Sequence, residues 1–182
     1  NKRNRIQDLK KMNFSLRHRG PDSFGEWNSK TAYIGHRRLK IIDLSNKSNQ
    51  PMILNKRYVL TFNGEIYNYK EIKKNFLSKY NFNSNGDTEV LLKFLHCYQE
   101  KALKKIEGMF AFALWDEKKQ ELFAARDPFG IKPFYFYYHK NIFYFASEIK
   151  AFKFAGLKLE PNYKKINEFL RWGVLDYDNN TW

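Results

Sequence analysis

The chain has only one cysteine, Cys97, and no long uninterrupted apolar segment. A single cysteine cannot form an internal disulfide, so a disulfide-stapled fold is excluded and a reducing compartment is favoured. The longest apolar run, residues 109–115, is far shorter than the roughly 18 residues needed to cross a bilayer, and no segment has the pattern of a signal peptide. We therefore expect a cytoplasmic protein with no membrane partner.

Acidic residues are also scarce, 19 against 33 basic residues, which gives a net charge of +14 at pH 7. This excess makes nucleic acid a partner to consider. The lysines are scattered along the whole chain, however, and an AT-rich coding bias alone would produce this composition. The aromatic residues, 18% of the chain, fall mainly in predicted strands, where large side chains fill a core. We predict no nucleic-acid partner.

Hydrophobic periodicity predicts a single α+β domain. Apolar spacing predicts helices at residues 3–16, 69–80, 87–99 and from 161 to Gly173, with Asp87 as the N-cap of the third. Alternating or β-branched and aromatic segments predict strands within 31–43 and at 58–62, 109–115, 121–126, 133–138 and 142–147. The last four strands are expected to form an antiparallel meander, with helices packed on antiparallel sheet.

Few residues qualify as a nucleophile or a metal site. Cys97 lies among core positions of the helix at 87–99, so we expect it to be buried and not catalytic. The histidines show no metal-ligand spacing with this cysteine, and no metal is predicted. They are His18, His36, His96 and His139.

A polar cluster is a better candidate. Arg37 and Arg38 are adjacent on a predicted strand, so their side chains should point to opposite faces and only one should enter a given pocket. Asn63-Gly64 alone is typical of a hairpin turn. Glu65 follows directly, and a carboxylate, an amide and a glycine N–H together could bind an amine and stabilise an oxyanion.

Eight motifs then carry a resemblance in their order along the chain. They are RHRGPD at 17–22, HRRL with IID at 36–43, QP at 50–51, NGEIYN at 63–68, GDTE at 86–89, GMFAFA at 108–113, RDPFGIKP at 126–133 and ASEIKA at 146–151. Together they resemble the glutaminase domain of glutamine-hydrolysing asparagine synthetases. Each motif is weak alone, whereas the ordered series is specific.

This resemblance implies a class II glutamine amidotransferase of the N-terminal-nucleophile hydrolase fold, a four-layer α/β/β/α sandwich of two antiparallel sheets. In such enzymes an N-terminal cysteine attacks the glutamine amide, giving glutamate and the ammonia used for ATP-dependent amidation of aspartate. The sequence begins with Asn1, so we expect that cysteine and the first strand to be absent from it and the chain as printed to be inactive. Residues 1–160 would form the domain, and 161–182 a terminal helix and the start of a connection to a C-terminal synthetase domain.

The resemblance also implies partners and site residues. Glutamine would be the substrate, with no cofactor in this domain and Mg-ATP in the synthetase domain; a homodimer is left open. Arg38 would bind the substrate α-carboxylate, and Glu65 and Asp87 its α-ammonium. Asn63 and Gly64 would hold the oxyanion, and Arg19 would lie near the nucleophile. The rest of the implied glutamine pocket comprises Leu39, Lys40, Ile41 and Ile42.

Two alternatives remain. The chain could be a non-catalytic module that binds glutamine or serves as a scaffold. It could also supply ammonia to an acceptor other than aspartate, such as a sugar acid, because these motifs concern glutamine and do not identify the acceptor.

Overall fold

The structure, a computed structural model, describes residues 2–173. The helices are α1 (Lys2–Ser15), α2 (Tyr69–Phe76), α3 (Asp87–Tyr98), α4 (Lys150–Phe154) and α5 (Tyr163–Trp172). The strands are β1 (Ser23–Asn28), β2 (Tyr33–Arg38), β3 (Met52–Leu54), β4 (Tyr58–Ile66), β5 (Gly108–Asp116), β6 (Glu121–Arg126), β7 (Tyr135–His139) and β8 (Ile142–Ala146). The predicted connection beyond Gly173 lies outside the described residues.

All strand pairs are antiparallel and fall into three hydrogen-bonded groups. One sheet has the order β3-β4-β5-β6, and β1-β2 and β7-β8 each form a two-stranded sheet. Helices α2 and α3 cover one face of the four-stranded sheet, whereas α1 and α4 pack on the two smaller sheets. The layer order is therefore helices, sheet, sheet, helices, and the predicted α+β sandwich class is confirmed.

The main core lies between the four-stranded sheet and α3. Leu60 and Phe112 of the sheet and Leu91 and Phe94 of the helix are at most 2% exposed. Burial of each such side chain contributes roughly 1.5–3 kcal/mol relative to exposure. This core fixes β4 and the first turn of α3 against each other, which matters because both carry predicted site residues.

Most predicted elements are confirmed, with boundaries shifted by a few residues. The sequence did not predict β1 or β3, because β1 (SFGEWN) does not alternate apolar with polar residues and β3 has only three residues. The hairpin interpretation of Asn63-Gly64 is wrong, since both residues lie inside β4 and pair with β5. The N-cap of α3 is Gly86, not Asp87.

The predicted four-strand meander is also wrong. β6 and β7 do not pair, and residues 127–134 carry the chain from one sheet to another. The Asp127 carboxylate holds this crossing, accepting the N–H groups of Ile131 at 2.9 Å and Lys132 at 3.0 Å. These bonds turn residues 127–134 away from β6, and the next two strands, β7 and β8, form a separate sheet.

Cys97 differs from its prediction as well. The buried face of α3 ends at Leu95, and Cys97 is exposed in the last turn, with Sγ 3.1 Å from the hydroxyl oxygen of Tyr80. No helix among residues 2–173 is both long and apolar enough to cross a membrane.

Candidate active site

The predicted site residues meet at one cavity of about 580 Å³ between the sheet layers. Its volume falls in the range of roughly 300–1,000 Å³ that is usual for small-molecule pockets. Nine of the ten predicted site residues line it: Arg19, Arg38, Leu39, Ile41, Ile42, Asn63, Gly64, Glu65 and Asp87. Lys40 does not, because its N–H donates to Asp22 and its ammonium to Asn46.

Arg38, at the end of β2, is 7% exposed and is anchored through part of its guanidinium. Nη1 donates to the carbonyl oxygen of Ser45 at 2.8 Å and to Oδ1 of Asn49 at 2.9 Å, and Nη2 donates to the carbonyl oxygen of Asp43. A guanidinium has five N–H donors. Nε and the second Nη2 hydrogen therefore have no acceptor among residues 2–173 and can bind a carboxylate.

The neighbouring arginine takes a different direction. Nε of Arg37 donates to the carbonyl oxygen of Asn13 on α1 at 3.0 Å, and the guanidinium lies 4.8 Å from the ring centre of Phe24. The guanidinium groups of Arg37 and Arg38 make contacts in different directions, as predicted, although both residues line the cavity. Burial lowers the pKa of Arg38, although nearby aspartates oppose that effect. The ordinary pKa is so high that Arg38 remains charged at neutral pH.

Two carboxylates, those of Glu65 and Asp87, line the same cavity as Arg38. Asp87 is 5% exposed at the start of α3, and its Oδ2 accepts the N–H of Ile66 at 2.9 Å. Burial raises the pKa of Asp87, the Ile66 N–H opposes this, and the charge of Glu65 adds to the rise. A cation near Asp87 and Glu65 would offset the cost of burying a charged carboxylate and would reduce the repulsion between the two carboxylates. The pair therefore favours a positively charged ligand group.

Two N–H donors of β4 also line this cavity. Nδ2 of Asn63 is buried and has no hydrogen-bond partner in the described part of the chain. The N–H groups of Phe62, Gly64 and Ile66 point to one edge of β4, because successive residues alternate. Gln50 accepts the first at 2.7 Å and Asp87 accepts the third at 2.9 Å. The Gly64 N–H between them faces the cavity beyond the end of β3.

Glycine is required at position 64 for a steric reason. Its φ is +155°, and an added Cβ would lie 2.2 Å from the carbonyl oxygen of Met109 and 2.7 Å from Cα of Phe110. The close approach of β4 to β5 leaves no space for a side chain there. The Gly64 N–H is thus held by rigid sheet rather than by a flexible turn.

The cavity mouth combines apolar and charged residues. Leu39, Ile41 and Ile42 are 53%, 59% and 38% exposed. Nη1 of Arg19 donates to Oε1 of Glu148 at 3.1 Å. Although burial opposes it, hydrogen bonds that include the Arg19 contact lower the pKa of Glu148 to about 2. Arg19 therefore faces the cavity with its guanidinium partly occupied.

Comparison with known proteins agrees with this geometry. The sequence model of the glutamine amidotransferase domain matches residues 1–182. The chain belongs to this family. Asparagine synthetase 1 (glutamine-hydrolyzing) of Bacillus subtilis strain 168 is 41% identical over 163 residues, which cover 89% of the chain and 26% of that relative. Asparagine synthetase B (glutamine-hydrolyzing) of Escherichia coli strain K12 is 40% identical over 159 residues, 85% of the chain and 27% of that relative.

Amidase chry2 of Gibberella zeae is 38% identical over 158 residues, which cover 85% of the chain and 24% of that relative. The chain therefore spans about a quarter of the length of these relatives. Differently named proteins thus share this glutamine amidotransferase domain, so the domain alone does not identify the acceptor.

Sequence reasoning missed a buried carboxylate, Asp43, that holds together two segments of the cavity wall. The carboxylate of Asp43 accepts the N–H of Ser45, the hydroxyl of Ser48 and the N–H of Asn85 at 2.8, 2.8 and 2.9 Å. It thereby ties the loop that anchors Arg38 to the residues before α3. The IID motif contained Asp43, but a motif does not specify which distant N–H groups its carboxylate reaches.

Proposed function

We propose that the cavity binds free glutamine and holds its side-chain amide for hydrolysis to glutamate and ammonia. The observation that carries the proposal is the set of groups that line this one cavity: the guanidinium of Arg38, the N–H donors of Asn63 and Gly64, and the carboxylates of Glu65 and Asp87. Arg38 would bind the α-carboxylate, and Asp87 with Glu65 the α-ammonium. A zwitterionic amino acid offers a carboxylate to the guanidinium and an ammonium to the carboxylates at the same time.

The side-chain amide would then lie against Asn63 and Gly64. Attack on an amide carbon moves negative charge onto its oxygen, and fixed N–H donors stabilise that charge in the transition state. Because Nδ2 of Asn63 has no hydrogen-bond partner within residues 2–173, no hydrogen bond there has to break when it binds the oxyanion. On this proposal the attacking thiol belongs to a residue other than Cys97, which does not line the cavity.

The whole protein would use the ammonia to make asparagine from aspartate. The relatives named asparagine synthetases support this acceptor, and a synthetase domain with Mg-ATP would carry out that step outside residues 1–182. A second candidate is an amidotransferase with another acceptor, because Amidase chry2 shares the domain at similar identity.

The test compares the two neighbouring arginines in the full-length natural protein. Arg38→Lys should raise the KM for glutamine, because lysine cannot donate in the bidentate geometry of a guanidinium. Arg37→Lys is the matched control, since Arg37 contacts α1 and Phe24 instead. Asn63→Ala should lower kcat by roughly 10²–10³-fold, the usual loss for one oxyanion donor.

Three results would contradict the proposal in different ways. Equal effects of Arg37→Lys and Arg38→Lys would remove Arg38 from the pocket. Glutamine binding by calorimetry without ammonia release would favour the non-catalytic module. Ammonia release with an amide product other than asparagine would keep the glutaminase and replace the acceptor.

A further inference from the structure

The proposed site is divided between two sheets that share no backbone pairing. Arg38 belongs to β2, which pairs with β1, whereas Asn63, Gly64 and Glu65 belong to β4, which pairs with β3 and β5. The distance between the carboxylate-binding and oxyanion-binding groups therefore depends on contacts between layers. Packing alone allows layers to shift, while a directional hydrogen bond fixes their position more closely.

One side-chain hydrogen bond connects these two strands within residues 2–173. Nδ1 of His36 on β2 lies 2.9 Å from Oγ1 of Thr61 on β4. Both residues line the cavity. His36 is two residues before Arg38, and Thr61 is two residues before Asn63. Alternate residues share a face of a strand, so the bond and the site residues occupy the same inter-layer space.

The chemistry of His36 suits this position. Burial lowers its pKa to about 4, and the charge of Arg38 adds to the effect. The ring is therefore neutral at physiological pH and offers one N–H and one acceptor nitrogen. A neutral ring can pair with a hydroxyl without adding a second positive charge beside Arg38.

Another link is less direct. Gln50 donates to the carbonyl oxygen of Phe62 at 3.0 Å and accepts its N–H at 2.7 Å. Gln50, however, lies outside β2 and is separated from Arg38 by eleven residues, so these bonds join the loop after β2 to β4. It anchors the loop, whereas the His36–Thr61 bond joins the strands themselves.

We propose that the hydrogen bond between His36 and Thr61 sets the spacing between the carboxylate-binding and oxyanion-binding halves of the pocket. His36 and Thr61 are then positioning residues for glutamine hydrolysis. This inference rests on the proposed function. Each half can still bind its own group without the bond, but a glutamine held by Arg38 then lies off the donors of β4. Misplacement by about 1 Å can cost on the order of 10²-fold in rate.

The test uses two pairs of variants in the full-length natural protein. Thr61→Val removes the hydroxyl at nearly unchanged shape, and Thr61→Ser keeps it. His36→Leu removes the bond, and His36→Asn keeps a polar atom near the position of Nδ1. We expect Thr61→Val and His36→Leu to lower kcat for glutamine hydrolysis by roughly 10–100-fold with little change in KM. Thr61→Ser and His36→Asn should retain most of the activity.

Thermal unfolding and the reaction with added ammonia separate positioning from a general loss of folded protein. The melting temperature and the ammonia-dependent rate should stay near the wild-type values in all four variants. Unchanged kcat in Thr61→Val overturns the inference, and so does a loss that parallels the loss of folded protein. Loss in His36→Leu without loss in Thr61→Val would place His36 against the substrate instead. A wild-type protein that does not hydrolyse glutamine refutes the proposed function and this inference together, whereas an active wild type with an active Thr61→Val variant refutes this inference alone.

Discussion

Replacing Asp87 with asparagine removes one negative charge from the cavity while keeping the size of the side chain. In the structure Oδ2 of Asp87 accepts the N–H of Ile66 at 2.9 Å, and Gly86 is the N-cap of α3. Asparagine can offer its Oδ1 to the same N–H. The substitution therefore separates the charge of Asp87 from its structural hydrogen bond.

The sign of the stability effect follows from the pKa of Asp87. Burial raises that pKa in the folded protein, so folding favours the protonated form. The stabilisation by Asp87 is greatest below about pH 4, its unfolded pKa, and is lost as the pH rises through the folded value. A neutral asparagine does not lose it, so Asp87→Asn should be at least as stable as the wild type at pH 7.

Glutamine binding, in contrast to stability, should become weaker in Asp87→Asn. A hydrogen bond to a charged group contributes about 1.5–3 kcal/mol. Loss of that contribution corresponds to roughly a 10- to 150-fold increase in the glutamine KM. The reaction with added ammonia should persist, because glutamine is the only substrate that Asp87 would contact.

The assay measures the glutamine KM, the ammonia-dependent rate and the melting temperature of the full-length protein. Glu89→Gln is the matched control on the same helix. Although burial opposes it, hydrogen bonds from Lys93 and Ser84 lower the pKa of Glu89, so this variant should lose stability and keep its glutamine KM. An unchanged KM in Asp87→Asn would remove Asp87 from the pocket, and a large loss of stability would make its role mainly structural.

Three further predictions concern other parts of the domain. Gly64→Ala should abolish glutamine hydrolysis or prevent folding, as measured by ammonia release and circular dichroism, because the new Cβ would lie 2.2 Å from the carbonyl oxygen of Met109. Cys97→Ser should leave kcat for glutamine unchanged, and a large decrease would contradict the assignment of the cavity. The hydrogen bond from Arg57 lowers the pKa of Asp116 to about 2, so its stabilisation is present above about pH 4. It should be lost as the pH falls towards 2, and urea unfolding of Asp116→Asn should vary less with pH in that window.

Local patterns were sufficient for elements whose burial repeats along the chain. The apolar spacing of residues 3–16 predicted α1, and β6 matched its predicted range of 121–126. Patterns failed where a distant contact decided the structure. The crossing after β6 depends on the carboxylate of Asp127, and the exposure of Cys97 depends on where the neighbours of α3 end. Neither feature produces a periodic pattern of residues in the sequence.

The candidate site was predictable through its motifs and only partly through chemistry. Opposite directions for Arg37 and Arg38 follow from strand geometry alone. The pocket itself requires knowledge of which strand faces which, and β2 and β4 are separated by a long loop. The sequence marks His36 only as part of the HRRL motif, because its contact with Thr61 depends on how the two sheet layers stack.

The edge of β4 explains why the motifs are far apart in sequence and yet act together. Beyond the end of β3, three N–H groups point to this edge. A side chain from a different motif occupies each outer one: Gln50 at Phe62 and Asp87 at Ile66. If both were replaced by a neighbouring strand, the Gly64 N–H between them would be paired as well. Single side chains instead accept the N–H groups of Phe62 and Ile66, and the Gly64 N–H stays available to a ligand. The motifs around Gln50 and Asp87 therefore create the free N–H at Gly64, in addition to any contact that Asp87 makes with a ligand.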